Sequence, residues 1–193
     1  MKDRAVALKK LILVTGPARS GKSEWAERFA LESQKSVIYI ATAKIDPADA
    51  EWQSRIEKHK NRRPNNWMTK EVPVELSEAI AAYSHSDSCL LIDSLGTWVA
   101  NLLETEETEW QKHQQVLLES LSQAKGDVVL VGEETGWGVV PAFEMGRLFR
   151  DRLGNLVRLV GAIADPVYLV TGGYVLNLSA LGSPLSNSES SKN

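Results

Sequence analysis

The chain holds a single cysteine, Cys89, so no internal disulfide can staple it. That cysteine sits inside the apolar run Cys89-Leu90-Leu91-Ile92, where a buried thiol is expected rather than a nucleophile. Long hydrophobic stretches are also missing. No apolar run approaches the ~18 residues a membrane span needs. Met1-Lys2-Asp3-Arg4 is followed by too short an apolar run, with no small-residue cleavage site, for a signal peptide. A cytoplasmic protein without a membrane span is the expectation. Charge of one sign is scarce as well: 22 Lys and Arg against 25 Asp and Glu leave a net charge of −3, which offers no basic footprint for nucleic acid. The local exception, Lys58-His59-Lys60-Asn61-Arg62-Arg63, is suited to nucleotide phosphates. Finally, no N-K-x-D segment occurs. Asp93-Ser94-Leu95-Gly96 matches the D-x-x-G of switch GTPases, but without a guanine-reading motif a regulatory GTPase is not expected.

What is present decides the class. Gly16-Pro17-Ala18-Arg19-Ser20-Gly21-Lys22-Ser23 is a complete G-x-x-x-x-G-K-[ST] loop directly after the apolar run Leu11-Ile12-Leu13-Val14-Thr15. The bare pattern arises by chance on the order of once in a hundred chains of this length, so its context matters. A strand must precede it and a helix must follow, and Ser23 to Leu31 supplies the helix, with Trp25 and Phe29 four apart on one face. In such a loop, Gly16 and Gly21 let backbone N–H groups form a nest for phosphate, and the helix aims its positive end at the same charge. Lys22 then reaches the β- and γ-phosphates and Ser23 holds Mg²⁺.

With 193 residues, 43% hydrophobic and 24% charged, the chain fits one α/β domain over residues 1–182. The Ser-rich, apolar-poor stretch 183–193 reads as a disordered tail. Apolar runs recur at Leu11 to Thr15, Val37 to Ala41, Cys89 to Ile92, Val128 to Val131 and Val167 to Thr171, with helical spacing between them. That alternation predicts a mostly parallel sheet with helices on both faces. Helices are expected from about Ala48 to Lys60, Glu75 to Tyr83, Trp110 to Ala124, and Pro141 to Ala164, the last with a break or bend near Gly154. Val167 to Thr171 and Tyr174 to Leu178, joined by Gly172-Gly173, predict an antiparallel pair at the sheet edge. Cys89-Leu90-Leu91-Ile92-Asp93 ends in a carboxylate at the edge where the phosphate loop lies, so Asp93 is the second Mg²⁺ candidate.

These stretches together resemble one family, the bifunctional adenosylcobinamide kinase/adenosylcobinamide-phosphate guanylyltransferases of cobalamin assembly. The resemblance runs from about residue 11 to 178. It is carried by the loop, Tyr39-Ile40-Ala41-Thr42, Arg55 to Pro64 with its His59-Lys60, Asp93 to Leu103, Glu134 to Pro141 and Phe149 to Gly154. It implies a RecA-like phosphate-loop fold and a ring-shaped homotrimer. It also implies two reactions at one site: phosphorylation of adenosylcobinamide with ATP or GTP, then GMP transfer from GTP to adenosylcobinamide phosphate. In that family a histidine becomes guanylylated, and the matching position here is His59. Lys60, Arg62 and Arg63 would spread the triphosphate charge. Glu133 stands where the family usually has Asn, and Val157-Arg158 where it usually has Asn-Gln. From the residues alone, another small-molecule kinase with the same loop, or a nucleotide-dependent switch ATPase acting on a partner, stays open. Trp98 is expected in the core and Trp137, between two glycines, at a substrate; His85 and His113 are expected at the surface.

Overall fold

The computed structural model describes residues 9–44 and 63–185. In chain order these form β1 (Leu11–Gly16), α1 (Lys22–Glu32), β2 (Ser36–Ala41), β3 (Met68–Glu71), α2 (Leu76–Tyr83), β4 (Ser88–Asp93), α3 (Leu95–Asn101), α4 (Glu107–Gln123), β5 (Asp127–Glu133), α5 (Glu144–Ile163), β6 (Val167–Thr171), β7 (Tyr174–Asn177) and α6 (Leu178–Leu181). The strands make one sheet in the order β3-β2-β4-β5-β1-β6-β7. Every neighbouring pair is parallel except β6 and β7, which close the edge antiparallel as the sequence predicts.

The near-continuous apolar runs of β1, β2, β4 and β5 follow from burial on both faces. Odd and even positions sort cleanly. Leu11, Leu13, Ile38, Ile40, Leu90, Ile92, Val128 and Leu130 face a cluster shared with α2, α3, α4 and α5. Ile12, Val14, Val37, Tyr39, Cys89, Leu91, Val129 and Val131 face the cluster shared with α1. Trp98 is fully buried in the first cluster, 5.7 Å from the Trp110 ring, with its indole N–H donating to the Val74 carbonyl. This is the core role the sequence predicts.

Two expectations need correction. α5 runs unbroken from Glu144 to Ile163, so the helix is not broken at Gly154. Gly154 is exposed, while Leu153, Leu156, Val157 and Val160 lock the opposite face into the core, and that packing outweighs the ~1 kcal/mol propensity cost of one glycine. α3 and β3 were not anticipated as elements. The helix expected from Ala48 to Lys60 lies outside the described residues.

The Phe149 to Gly154 stretch serves the fold. Buried Arg152 donates to the carbonyls of Leu102, Leu103 and Thr105, just beyond α3, and lies 5.2 Å over the Trp110 ring. It thereby satisfies acceptors that a helix end leaves open. Val157 is a core residue and Arg158 is exposed, so the departure at these two positions changes packing and surface.

Candidate functional site

The carboxyl ends of β1, β4 and β5 converge on one edge of the sheet. In register, Gly16 lies opposite Glu133, and Asp93 opposite Ala41 of β2. The chain leaves β1 through the predicted loop. Gly16 is required by close approach, because a Cβ there would stand 2.2 Å from the Val170 carbonyl oxygen and 2.8 Å from Ser20 Oγ. Gly21 caps α1 at φ 92°, a left-handed conformation that side chains disfavour. Pro17 is half-buried, Ala18 and Arg19 are exposed, and Ser20 Oγ is buried with no hydrogen-bond partner among the described residues. Lys22, only 8% exposed, curls over the loop and donates to the Pro17 carbonyl at 3.3 Å. The first turn of α1 thus presents open backbone N–H groups, a buried ammonium and the Ser23 hydroxyl on the edge where Asp93 ends β4. Such an edge binds a polyphosphate.

Strand parity puts Asp93 and Glu133 on the face that α1 covers, two positions beyond Leu91 and Val131. The Tyr39 hydroxyl donates to Asp93 Oδ2 at 2.8 Å, and the Arg63 guanidinium stacks 3.3 Å from the Tyr39 ring centre. Burial first, then the negative charge of Asp93, push the Tyr39 phenol far above its ordinary pKa against the opposing pull of Arg63, so it stays a donor. The backbone after Asp93 is pinned by Thr42, whose hydroxyl donates to the Ser94 carbonyl at 2.7 Å and accepts from the Ser94 N–H at 2.8 Å. Ser94 and Thr97 then form a capping box that starts α3.

Glu133 Oε2 accepts the Gly96 N–H at 2.8 Å, near the start of α3. Burial raises the Glu133 carboxyl above the ordinary carboxylate range and Asp93 adds to it, while the Ser94 hydroxyl, Lys22 and the Gly96 N–H pull it back. Beside it, Glu134 Oε1 accepts from Thr15 Oγ1 at 3.5 Å. Burial pushes the Cys89 thiol up to about 11, so it is protonated at neutral pH and is no nucleophile.

Of the predicted site residues, the structure brings together Gly16 to Ser23, Asp93 and Arg63. His59, Lys60 and Arg62 lie outside the described residues. Of the other histidines, His85 is exposed and His113 is half-buried, 6.5 Å edge-on to Trp98. Tyr39 and Thr42 were not predicted as site residues, although both belong to the Tyr39-Ile40-Ala41-Thr42 match, and the parity of Tyr39 with Asp93 on neighbouring strands was the available signal.

The oxygen groups at this edge that could hold a metal are the Ser23 hydroxyl and the Asp93 carboxylate, with the Glu133 and Glu134 carboxylates at the end of β5 close by. These are hard oxygen ligands, and the described residues contain no group of three or more His, Cys, Asp and Glu side chains that could hold a metal. That suits Mg²⁺, which takes one or two protein ligands and fills its shell with water and nucleotide phosphate. No described helix is long and apolar enough to cross a membrane.

With β5 inserted between the loop strand β1 and the carboxylate strand β4, the sheet has the RecA-like arrangement. A solved structure from Pyrococcus horikoshii OT3 superposes with a TM-score of 0.54, covering 88% of this chain and 85% of that one at 5% identity, a likeness of fold. Residues 12–178 match the family model described as cobinamide kinase / cobinamide phosphate guanyltransferase. The bifunctional adenosylcobalamin biosynthesis protein CobP of Pseudomonas aeruginosa is 38% identical over 174 residues, 90% of this chain and 98% of that protein. The bifunctional adenosylcobalamin biosynthesis protein CobU of Salmonella typhimurium is 37% identical over 177 residues, 84% of this chain and 96% of that protein. A phosphate loop on this sheet and similarity along nearly the whole chain lead to one conclusion: the chain belongs to the family of bifunctional cobinamide kinases and cobinamide phosphate guanylyltransferases of adenosylcobalamin biosynthesis.

Proposed function

We propose that the family's two reactions share the loop at the end of β1 and are separated by His59. In the first, the γ-phosphoryl group of ATP or GTP passes to the aminopropanol hydroxyl of adenosylcobinamide. In the second, His59 imidazole attacks the α-phosphorus of GTP and pyrophosphate leaves. A phosphate oxygen of adenosylcobinamide phosphate then attacks that phosphorus, breaking the N–P bond to give adenosylcobinamide-GDP and free His59. Neutral imidazole is nucleophilic near pH 7, and the resulting phosphoramidate is labile enough to be displaced.

The observation that carries the shared site is the buried Lys22 curled over the loop at the head of α1. On nucleotide binding its ammonium would exchange the Pro17 carbonyl for β- and γ-phosphate oxygens. Arg63, with Lys60 and Arg62 from the same basic stretch, would balance the charge that develops on the triphosphate. Ser23 and Asp93 would hold Mg²⁺, which when bound neutralises phosphate charge. The loop after β5 exposes Trp137, Val139, Val140 and Phe143 next to Glu134, and these support contact with the bulky corrinoid. The exposed Tyr174, Leu176, Leu178 and Leu181, on α6 and on β7, the last strand of the sheet among the described residues, support association into the homotrimer the family resemblance implies. Nucleotide and corrinoid chemistry of this kind fits a cytoplasmic setting.

The test is incubation with GTP labelled at the α-phosphate, followed by denaturing electrophoresis. The wild-type chain should retain a label released by mild acid and stable to base. His59→Ala should lose the label and GMP transfer while keeping substantial kinase activity. An acid-labile label on the His59→Ala protein would move the intermediate to another side chain.

A further inference from the structure

Tyr39 is buried to 3% exposure on the α1 face of β2, yet its hydroxyl is aimed out of the core at the sheet edge. The geometry follows from register. Tyr39 lies opposite Leu91, and Asp93 is two residues further along β4, so the two side chains share a face on a diagonal that an aromatic ring can span. The contact made there is specific: Tyr39 Oη donates to Asp93 Oδ2 at 2.8 Å. Across the ring, the Arg63 guanidinium sits 3.3 Å from the centroid, with its Nε buried and unpartnered among the described residues. The flat face of the phenol is a contact suited to hold this cation.

We propose that Tyr39 is a positioning residue for the metal-binding carboxylate: its hydroxyl fixes the orientation of Asp93 so that Oδ1 faces the metal, and Arg63 keeps the phenol in register. This rests on the reading of Asp93 as a Mg²⁺ ligand. A carboxylate at a strand end can rotate about two torsions, and a donor on one oxygen removes that freedom before the metal arrives. Outer partners of metal ligands carry weight for this reason, with losses of about 10- to 100-fold in metal affinity when they are removed.

The test is Tyr39→Phe, which keeps the buried ring and its stack on Arg63 and deletes one oxygen. Mn²⁺ serves as the probe, with a non-hydrolysable GTP analogue present, and free Mn²⁺ is counted by its paramagnetic resonance signal. Mn²⁺ affinity should fall about tenfold, while binding of the analogue without metal stays at the wild-type level, a split that general loosening of the fold would not produce. Kinase turnover should need more Mg²⁺ and recover at saturation. In an Asp93→Asn background, Tyr39→Phe should add nothing further. Wild-type or tighter Mn²⁺ binding by Tyr39→Phe, or an equal extra loss in the Asp93→Asn background, would overturn the role of Tyr39. If Asp93→Asn alone leaves Mn²⁺ affinity unchanged, the Asp93 reading fails and takes this one with it; weakening by Asp93→Asn but not by Tyr39→Phe defeats only the proposal for Tyr39.

Discussion

Glu133 shows how one residue can set pH dependence at the site. Its carboxyl is raised by burial and by Asp93, so the folded protein holds that proton more tightly than the unfolded chain. The stabilising contribution is therefore complete below the ordinary value of 4.5 and is lost as pH rises through the folded value. At neutral pH the ionised group is a burden on the nucleotide-free fold. Glu133→Gln retains an acceptor for the Gly96 N–H and removes the charge. In thermal melts without nucleotide, it should melt above the wild type at pH 7 to 8, with the difference shrinking towards pH 4.5. A difference that stays constant with pH would contradict this account. The sequence showed Glu133 only as a carboxylate in an unusual place; its neighbours Lys22, Ser94 and Gly96 are 111, 39 and 37 residues away along the chain. No local pattern could have joined them.

Elements read well where hydrophobic period and length agreed. β1, β2, β4 and β5 are runs of buried apolar residues, and α2 and α4 carry regular stripes. The misses have separate causes. β3 reads Met68-Thr69-Lys70-Glu71, a largely exposed edge strand with little apolar signal, paired in parallel with Ile38 to Ala41 of β2. α3 is a seven-residue helix whose signal was the capping pair Ser94 and Thr97 ahead of Trp98 and Val99. The expected break in α5 is absent because Leu153, Leu156, Val157 and Val160, buried across from one exposed glycine, hold the helix together. That absence yields a prediction. Among the described residues, a Cβ at Gly154 meets nothing within 4 Å, so Gly154→Ala should stabilise the protein by about 0.5–1 kcal/mol through the unfolded chain. For a chain of this size, 1 kcal/mol corresponds to a rise of roughly 2–4 °C in Tm. A lower Tm would mean that Gly154 is held by contacts beyond the described residues.

At the scale of the whole molecule, β7 ends the sheet among the described residues, with one edge unpaired there. Strand edges with unpaired backbone groups and apolar side chains invite pairing, and closed rotational symmetry turns that pairing into a ring. Light scattering should give three times the 21.3 kDa chain mass. Leu176→Lys combined with Leu181→Lys should shift the population towards the single-chain mass. An unshifted wild-type mass of one chain would remove the homotrimer.

The sequence by itself determined the nucleotide chemistry, because a phosphate loop is a local device: eight consecutive residues carry the nest, the lysine and the hydroxyl. It also determined the parallel sheet, since burial on both faces writes continuous apolar runs, and the family, through stretches that kept their order. What only the tertiary structure decided is which groups gather with that loop at the carboxyl edge of the sheet. Tyr39 reaches Asp93 from a neighbouring strand, Thr42 holds the backbone beyond it, Glu133 comes from the strand inserted between β1 and β4, and Arg63 stacks from a distant segment. These contacts depend on strand order and register. Those are chosen by the free energy of the whole packed sheet, which no short stretch of sequence contains.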